Sequence, residues 1–154
     1  MNKNKMLVAL MDEYKRASKD YIKVLSDISE EDFLIARDYK TEDSDCKSIQ
    51  TVIFHIIQSG YTYANYIQSL SNDTWLEYKF LINTTKTAIQ EIKKMLEYTE
   101  DSFHDNWYKT NKELEKHSFK TRWNVTYDLE QLLEHAIVHI LRHRRQVENF
   151  LKKD

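Results

Sequence analysis

The sequence contains no proline and a single glycine among its 154 residues. Tight hairpin turns depend largely on glycine, and proline is the strongest breaker of helices. This composition therefore disfavours β-rich folds and leaves long helices uninterrupted, so the sequence predicts an all-α protein. At this length we expect one domain, residues 1–154, built around a single hydrophobic core.

Cysteine and long apolar runs are scarce as well. Cys46 is the only cysteine, which excludes an internal disulfide and a cysteine-rich zinc site and is compatible with a reducing compartment. No apolar run approaches the roughly 18 residues of a membrane-spanning helix, and the first residues lack the apolar core of a signal peptide. We therefore expect a cytoplasmic protein that does not bind membranes.

The sequence also lacks a strong excess of either positive or negative charge. The chain has 23 Lys and Arg against 25 Asp and Glu, for a formal net charge of −2. Its short basic run at Arg142, Arg144 and Arg145 is interrupted by Glu148 and is typical of a solvated helix face. We therefore expect a small-molecule substrate and no nucleic-acid partner.

Apolar residues recur at helical spacing in four segments. They predict helices at about residues 5–25, 48–70, 74–98 and 129–151, with Ser48 as one N-cap and Thr126 or Asp128 as another. Between residues 99 and 126 the helical period disappears. A connection this long is expected to contain short extended pieces or a small helix, with its aromatic residues covering one end of the bundle. These elements predict a four-helix bundle with a long connection before the last helix.

Gly60 lies inside the second predicted helix. Glycine at such a position costs up to about 1 kcal/mol relative to alanine. We therefore expect a neighbouring helix to approach closely at Gly60.

The most specific chemical signal is a row of three histidines, His135, His139 and His143, at four-residue spacing in the last predicted helix. Each step returns to nearly the same face, with a drift of about 40°. The apolar stripe of that helix includes His143, borders on His139 and leaves His135 toward the polar side. Two imidazoles at positions i and i+4 can share one metal ion, and hydrogen-bonded interface histidines are an equal alternative from spacing alone.

Two segments resemble the DinB/YfiT-like superfamily of metal-binding four-helix bundles. SIQTVIFH, residues 48–55, is similar to the family's Ser-Ile-x-x-x-x-x-His, and HAIVHILRHRRQ, residues 135–146, is similar to His-x-x-x-His-x-x-x-His-Arg-Gly-Gln. The helix order, the long connection and the total length also agree with this family. Lys47 and Arg145 stand where the family often has Trp and Gly.

The resemblance implies that His55, His139 and His143 bind a divalent metal ion, with zinc or nickel as the first candidates and iron or manganese as alternatives. Three protein ligands leave coordination positions open for water or substrate, as in catalytic zinc sites. The resemblance also implies a homodimer, and a metal-dependent enzyme of the thiol S-transferase or hydrolase type. Its nucleophile would be a metal-bound water or thiolate, and a low-molecular-weight thiol is the candidate cosubstrate.

Two alternatives remain open. One is a non-catalytic, dimeric bundle that binds a metal or small ligand, and the other is a bundle without metal whose histidines pair with one another. An enzyme is expected to show an open coordination position that faces a pocket with convergent polar groups. A structural protein is expected to show a closed histidine cluster, with aromatic side chains filling the cavity.

Four further residues are candidates for lining the pocket or for orienting the metal ligands. They are His135, Tyr63, Arg142 and Gln146. Gln146 can orient an imidazole, and Arg142, together with Arg144, can receive an anionic cosubstrate. Ordinary packing or a solvated position is the default alternative for each. Cys46 is disfavoured as a nucleophile, because it is a lone cysteine with no visible base near it in sequence.

Overall fold

The structure, a computed structural model, describes residues 1–72 and 74–152 and is mostly helical. Its α-helices are α1 (Lys5–Ser26), α2 (Glu30–Leu34), α3 (Ile49–Gln68), α4 (Thr85–Asp101), α5 (Asn111–Leu114) and α6 (Leu129–Leu151). Strands β1 (Phe119–Lys120) and β2 (Thr126–Tyr127) form a short antiparallel hairpin, and 3₁₀ turns lie at Ser44–Cys46 and His104–Tyr108. The predicted helical class is confirmed. In the part of the chain that is described, no helix combines the length and the apolar character needed to cross a membrane.

The two helices that carry the histidines of interest begin at capping boxes. At the start of α3, Thr51 N donates to Ser48 Oγ and Ser48 N donates to Thr51 Oγ1. Asp128 and Gln131 make the same reciprocal pair at the start of α6. Such N-caps contribute about 1 kcal/mol each, because they satisfy backbone N–H groups that have no partner within the helix. The caps fix where each helix begins and hence which residues share its buried face.

The four long helices pack as a bundle. Helix α1 contacts α6 and α4, and α3 contacts α4 and α6. Each long helix contributes fully buried side chains to one core, among them Leu7, Tyr21, Val52, Ile53, Ile92, Met95, Leu132 and Val147. His55 comes from α3 and His139 and His143 come from α6, and these two helices are direct neighbours.

The close helix approach expected at Gly60 is present. A Cβ atom placed on Gly60 would lie 2.0 Å from Sδ and 2.8 Å from Cγ of Met95, which is on α4. Because the side chain of Gly60 is a single hydrogen atom, α4 can approach α3 more closely here than it could with any other residue at this position.

The predicted start of the third long helix is wrong. Helix α4 begins at Thr85 rather than near Thr74, and residues 74–83 run without regular secondary structure. The reason is a tertiary clamp from α3, in which Asn65 Nδ2 donates to Leu76 O and Leu76 N donates to Asn65 Oδ1, both at 3.0 Å. Tyr78 of this segment also stacks on Tyr61 of α3, with ring centroids 4.8 Å apart. These contacts supply hydrogen bonds and burial that a helix over the same residues would not make.

The long connection before α6 holds both a small helix, α5, and extended pieces, β1 and β2, as expected. Its hairpin turn is closed by Thr121, whose N and Oγ1 both donate to Val125 O, and Asn124 takes the left-handed conformation at φ 64°. Asn adopts this conformation more readily than most non-glycine residues. The turn places Trp123 against Tyr63 of α3 and His135 of α6, with ring centroids 6.0 and 5.7 Å apart.

Candidate metal centre

Three imidazoles converge where α3 meets α6. His55 Nε2 lies 3.0 Å from His139 Nε2, which in turn lies 3.1 Å from His143 Nε2. One nitrogen from each ring lies within 4.8 Å of the other two. Nitrogen atoms that bind the same ion at about 2.0–2.1 Å are separated by about 3 Å when their bonds meet at roughly a right angle. The spacing of these three atoms therefore suits a shared divalent ion.

Burial favours the neutral form of His139 and His143. The exposed fraction is 5% for His143 and 9% for His139, while His55 is half-buried. Burial lowers the pKa of His139 to about 3, and positive charge on His143 and His55 would lower it further. Burial also lowers the pKa of His143, against the opposing effect of its hydrogen bond with Gln146. A neutral imidazole is the form that binds metals, so His139 and His143 are in the state that accepts a cation at neutral pH.

The outer nitrogens of two rings have oxygen partners. His143 Nδ1 lies 2.8 Å from Gln146 Oε1, and His55 Nδ1 lies 3.3 Å from Asp45 Oδ2. Gln146 Oε1 accepts a hydrogen bond, so His143 Nδ1 carries the ring proton and its Nε2 presents a lone pair to the cluster. The Asp45 carboxylate favours the same position of the proton on His55. A proton on His139 Nε2 can satisfy only one of these two lone pairs, whereas one divalent cation satisfies all three nitrogens. The donor set therefore fits a metal ion.

Asp45 was not predicted from the sequence, because only the fold of its loop brings it to His55. Arg37 N donates to Lys47 O and Ala36 forms an isolated bridge with Ser48, so the loop returns to the start of α3. Nothing in the spacing of residues 36–48 indicates this return.

Cys46 lies in the same 3₁₀ turn, and its Sγ donates to Asp43 Oδ2 at 3.5 Å. Burial raises the pKa of the Cys46 thiol; a hydrogen bond with Gln146 opposes this shift, and the Asp43 carboxylate adds to it. A thiol with a raised pKa carries less of the nucleophilic thiolate at neutral pH. The structure therefore gives no sign of an activated cysteine.

A cavity of about 440 Å³ opens beside His55 and His139. Its walls come from α3, α6 and the hairpin turn, and the residues that line it are His55, Ser59, Thr62, Tyr63, Arg122, Trp123, His135, Val138, His139 and Arg142. Burial raises the pKa of Tyr63 to about 12, with a hydrogen bond to Ser59 opposing the shift, so its hydroxyl stays protonated at neutral pH. The centre thus borders a pocket with several converging polar groups.

His135 lies in the wall of this pocket, outside the group of three converging nitrogens. Its Nδ1 is 3.3 Å from the Tyr127 hydroxyl, and its ring stacks on Trp123 at an interplanar angle of 23°. Burial lowers the pKa of His135, and the positive charge of Arg142 lowers it further. Its imidazole is therefore neutral near pH 7, with one ring nitrogen able to accept a proton.

The two arginines considered together from the sequence occupy different environments. Arg142 lines the pocket, whereas Arg144 lies 3.8 Å from Asp20 and 3.7 Å from Glu148. Arg122 is a second pocket arginine that sequence reasoning missed, because it lies in the aperiodic connection and reaches the pocket only through the hairpin turn.

The model of the DinB family matches residues 1–153 of the chain. The chain belongs to the DinB family. The search of curated proteins finds no match to it. Membership of the DinB family and the group of His55, His139 and His143 are together consistent with a metal-binding protein.

Proposed function

We propose that this DinB-family protein is a metal-dependent enzyme in which His55, His139 and His143 hold one divalent ion. Zinc and nickel are the first candidates for this ion. The observation that carries the proposal is the convergence of three imidazole nitrogens at the wall of an open cavity. An ion bound there supplies Lewis-acid chemistry, activating water or a thiol as a nucleophile. The reaction class that follows is thiol transfer or hydrolysis.

The chain's own residues supply the remaining parts of such a site. Gln146 accepts from Nδ1 of His143 and so favours the tautomer that exposes its Nε2 to the centre, and the Asp45 carboxylate beside Nδ1 of His55 favours the same tautomer there. His135, a neutral imidazole in the pocket wall, accepts the proton that the nucleophile releases. Tyr63 donates a hydrogen bond to the substrate, and Trp123 of the hairpin turn keeps bulk water from the inner wall.

The open cavity favours an enzyme over a non-catalytic metal-binding bundle. A purely structural histidine cluster would be closed, with aromatic rings filling the space beside it. Here Tyr63, Trp123 and His135 pack edge-to-face or stacked along the wall and leave about 440 Å³ free. That volume accommodates a small organic molecule next to the histidines.

Turnover by metal-free and reloaded protein tests the proposal. Tag-free protein is stripped with a chelator, reloaded with one equivalent of Zn²⁺ or Ni²⁺, and assayed for thiol transfer to an aryl halide and for hydrolysis of aryl esters. We expect turnover that requires the metal and falls by about 100-fold or more in His135→Ala, since general base catalysis contributes about 10²–10⁴-fold. His117→Ala is the control, because this histidine is exposed and lies outside the cluster and the pocket. Equal turnover before and after stripping would contradict metal dependence.

A further inference from the structure

Arg122 and Arg142 give the pocket beside the histidines an uncompensated positive charge. Both line the cavity, and among residues 1–72 and 74–152 neither takes part in an ion pair. The chain as a whole has 25 Asp and Glu against 23 Lys and Arg, yet no carboxylate among the described residues lines this cavity. A local excess of two positive charges in a protein of net charge −2 indicates that the pocket receives an anion.

The two arginines reach the pocket from separate elements. Arg122 is carried by the hairpin turn, where its backbone N donates to the Tyr66 hydroxyl of α3 at 2.8 Å. Arg142 lies on α6 between the metal-site histidines His139 and His143. Both arginines line the same cavity as Tyr63, so their charges meet in one pocket.

The rest of the wall is suited to the apolar part of a ligand. The Trp123 ring packs against both Tyr63 and His135 in the cavity wall, and Val138 of the same wall is 60% exposed. An inorganic anion would leave these surfaces unused. An organic anion uses both, because its charged group can bind the arginines while its hydrocarbon part packs on the indole.

We propose that the pocket binds an organic anion, a small molecule whose carboxylate or phosphate group is held by Arg122 and Arg142 and whose apolar part packs on Trp123. This assignment names the substrate class of the proposed enzyme. The claim that the bound anion is converted to a product rests on the proposed function. Binding of the anion itself depends on the two arginines.

Calorimetric titration of zinc-loaded protein with matched aromatic probes tests the assignment. Benzoate carries the carboxylate, phenyl phosphate carries the phosphate, and benzyl alcohol is the neutral control. Arg122→Gln and Arg142→Gln each remove one pocket charge. Arg16→Gln removes the same charge from the surface of α1, where Arg16 pairs with Glu13 outside the pocket. The zinc content of every sample is measured alongside.

We expect at least one of the two anions to bind at least about tenfold more tightly than benzyl alcohol. Each pocket substitution should weaken that binding by about 10- to 100-fold, as expected for loss of a charge-assisted hydrogen bond, and Arg16→Gln should leave it within about twofold. Preference for one anion over the other decides between carboxylate and phosphate.

Anion binding that is unchanged in both pocket variants, or no tighter than that of benzyl alcohol, would overturn the assignment. If zinc content stays near one ion per chain in that case, the proposed function still stands. Arginine-dependent anion binding by protein that takes up no zinc would overturn the proposed metal-dependent function and support the anion site. The two failures are therefore distinguishable.

Discussion

Replacement of Gly60 by alanine is expected to destabilise the protein, although alanine is the better helix former. Gly60 lies well inside α3, where Gly→Ala by itself would contribute about 1 kcal/mol of stability. The new Cβ, however, would lie 2.0 Å from Met95 Sδ and 3.1 Å from the Tyr14 hydroxyl. Both neighbours are buried side chains of the core, so Met95 has to move within a packed interior.

The expected size follows from the two opposing effects. Overpacking a core costs about 1–3 kcal/mol, and displacement of Met95 also removes the acceptor of the buried Tyr14 hydroxyl, which lies 3.9 Å from Sδ. Set against a gain of about 1 kcal/mol in helix propensity, the net loss is about 1–2 kcal/mol. For a chain of this size that corresponds to a fall in Tm of about 2–8 °C.

A double-mutant cycle in urea isolates the cause. Met95→Ala removes the two atoms nearest the new Cβ and leaves the Tyr14 hydroxyl at 3.1 Å, which can shift into the space that Met95 vacates. Gly60→Ala in that background should therefore stabilise the protein by about 1 kcal/mol. The sign of the Gly60→Ala effect thus reverses between the two backgrounds. Stabilisation by Gly60→Ala in the wild-type background would refute the close approach of α3 and α4 at this residue.

Three further predictions concern the site and the segment that the sequence did not predict. Asp45→Asn should weaken zinc affinity by about 10- to 100-fold in a competition titration, because Asp45 contacts the His55 ring. Glu42→Gln, an exposed position in the same loop, should leave the zinc affinity unchanged. The pKa of His139 is about 3 in the folded chain against 6.5 ordinarily, so between these pH values the unfolded state binds the additional proton. The stability of metal-free protein should therefore fall as pH drops through this window, by up to about 1.4 kcal/mol per pH unit from this residue, and urea midpoints for His139→Gln should fall less steeply. Asn65→Ala should destabilise the protein by about 1–3 kcal/mol and speed amide exchange at Leu76, since both hydrogen bonds of the clamp are lost; unchanged exchange there would contradict the clamp.

Local signals made three of the four long helices predictable. Ser48 and Asp128 are good N-caps directly before apolar-periodic segments, and α3 and α6 begin immediately after them. Periodicity alone also predicted the order in which the α6 histidines are buried. In the structure His143 and His139 are buried and His135 is half-buried, as that order requires. These features depend on residues within a few positions of one another.

The features that sequence reasoning missed depend on contacts between distant residues. The segment before α4 has helix-compatible spacing, but Asn65, more than ten residues earlier, binds its backbone in an extended form. The capping box of Thr84 and Thr87 was the local signal for the true start of α4. Asp45 and Arg122 likewise reach the site only through the paths of their loops, which no periodicity describes.

The most direct test of the central claim is the metal content of purified, tag-free protein, measured by plasma mass spectrometry for wild type, His143→Ala and His117→Ala. If His55, His139 and His143 hold one ion, wild type and His117→Ala should each carry close to one zinc or nickel per chain, and His143→Ala should carry little. Wild-type protein that is free of metal and takes up neither added Zn²⁺ nor added Ni²⁺ would contradict the account, and the three histidines would then be a hydrogen-bonded cluster in the bundle.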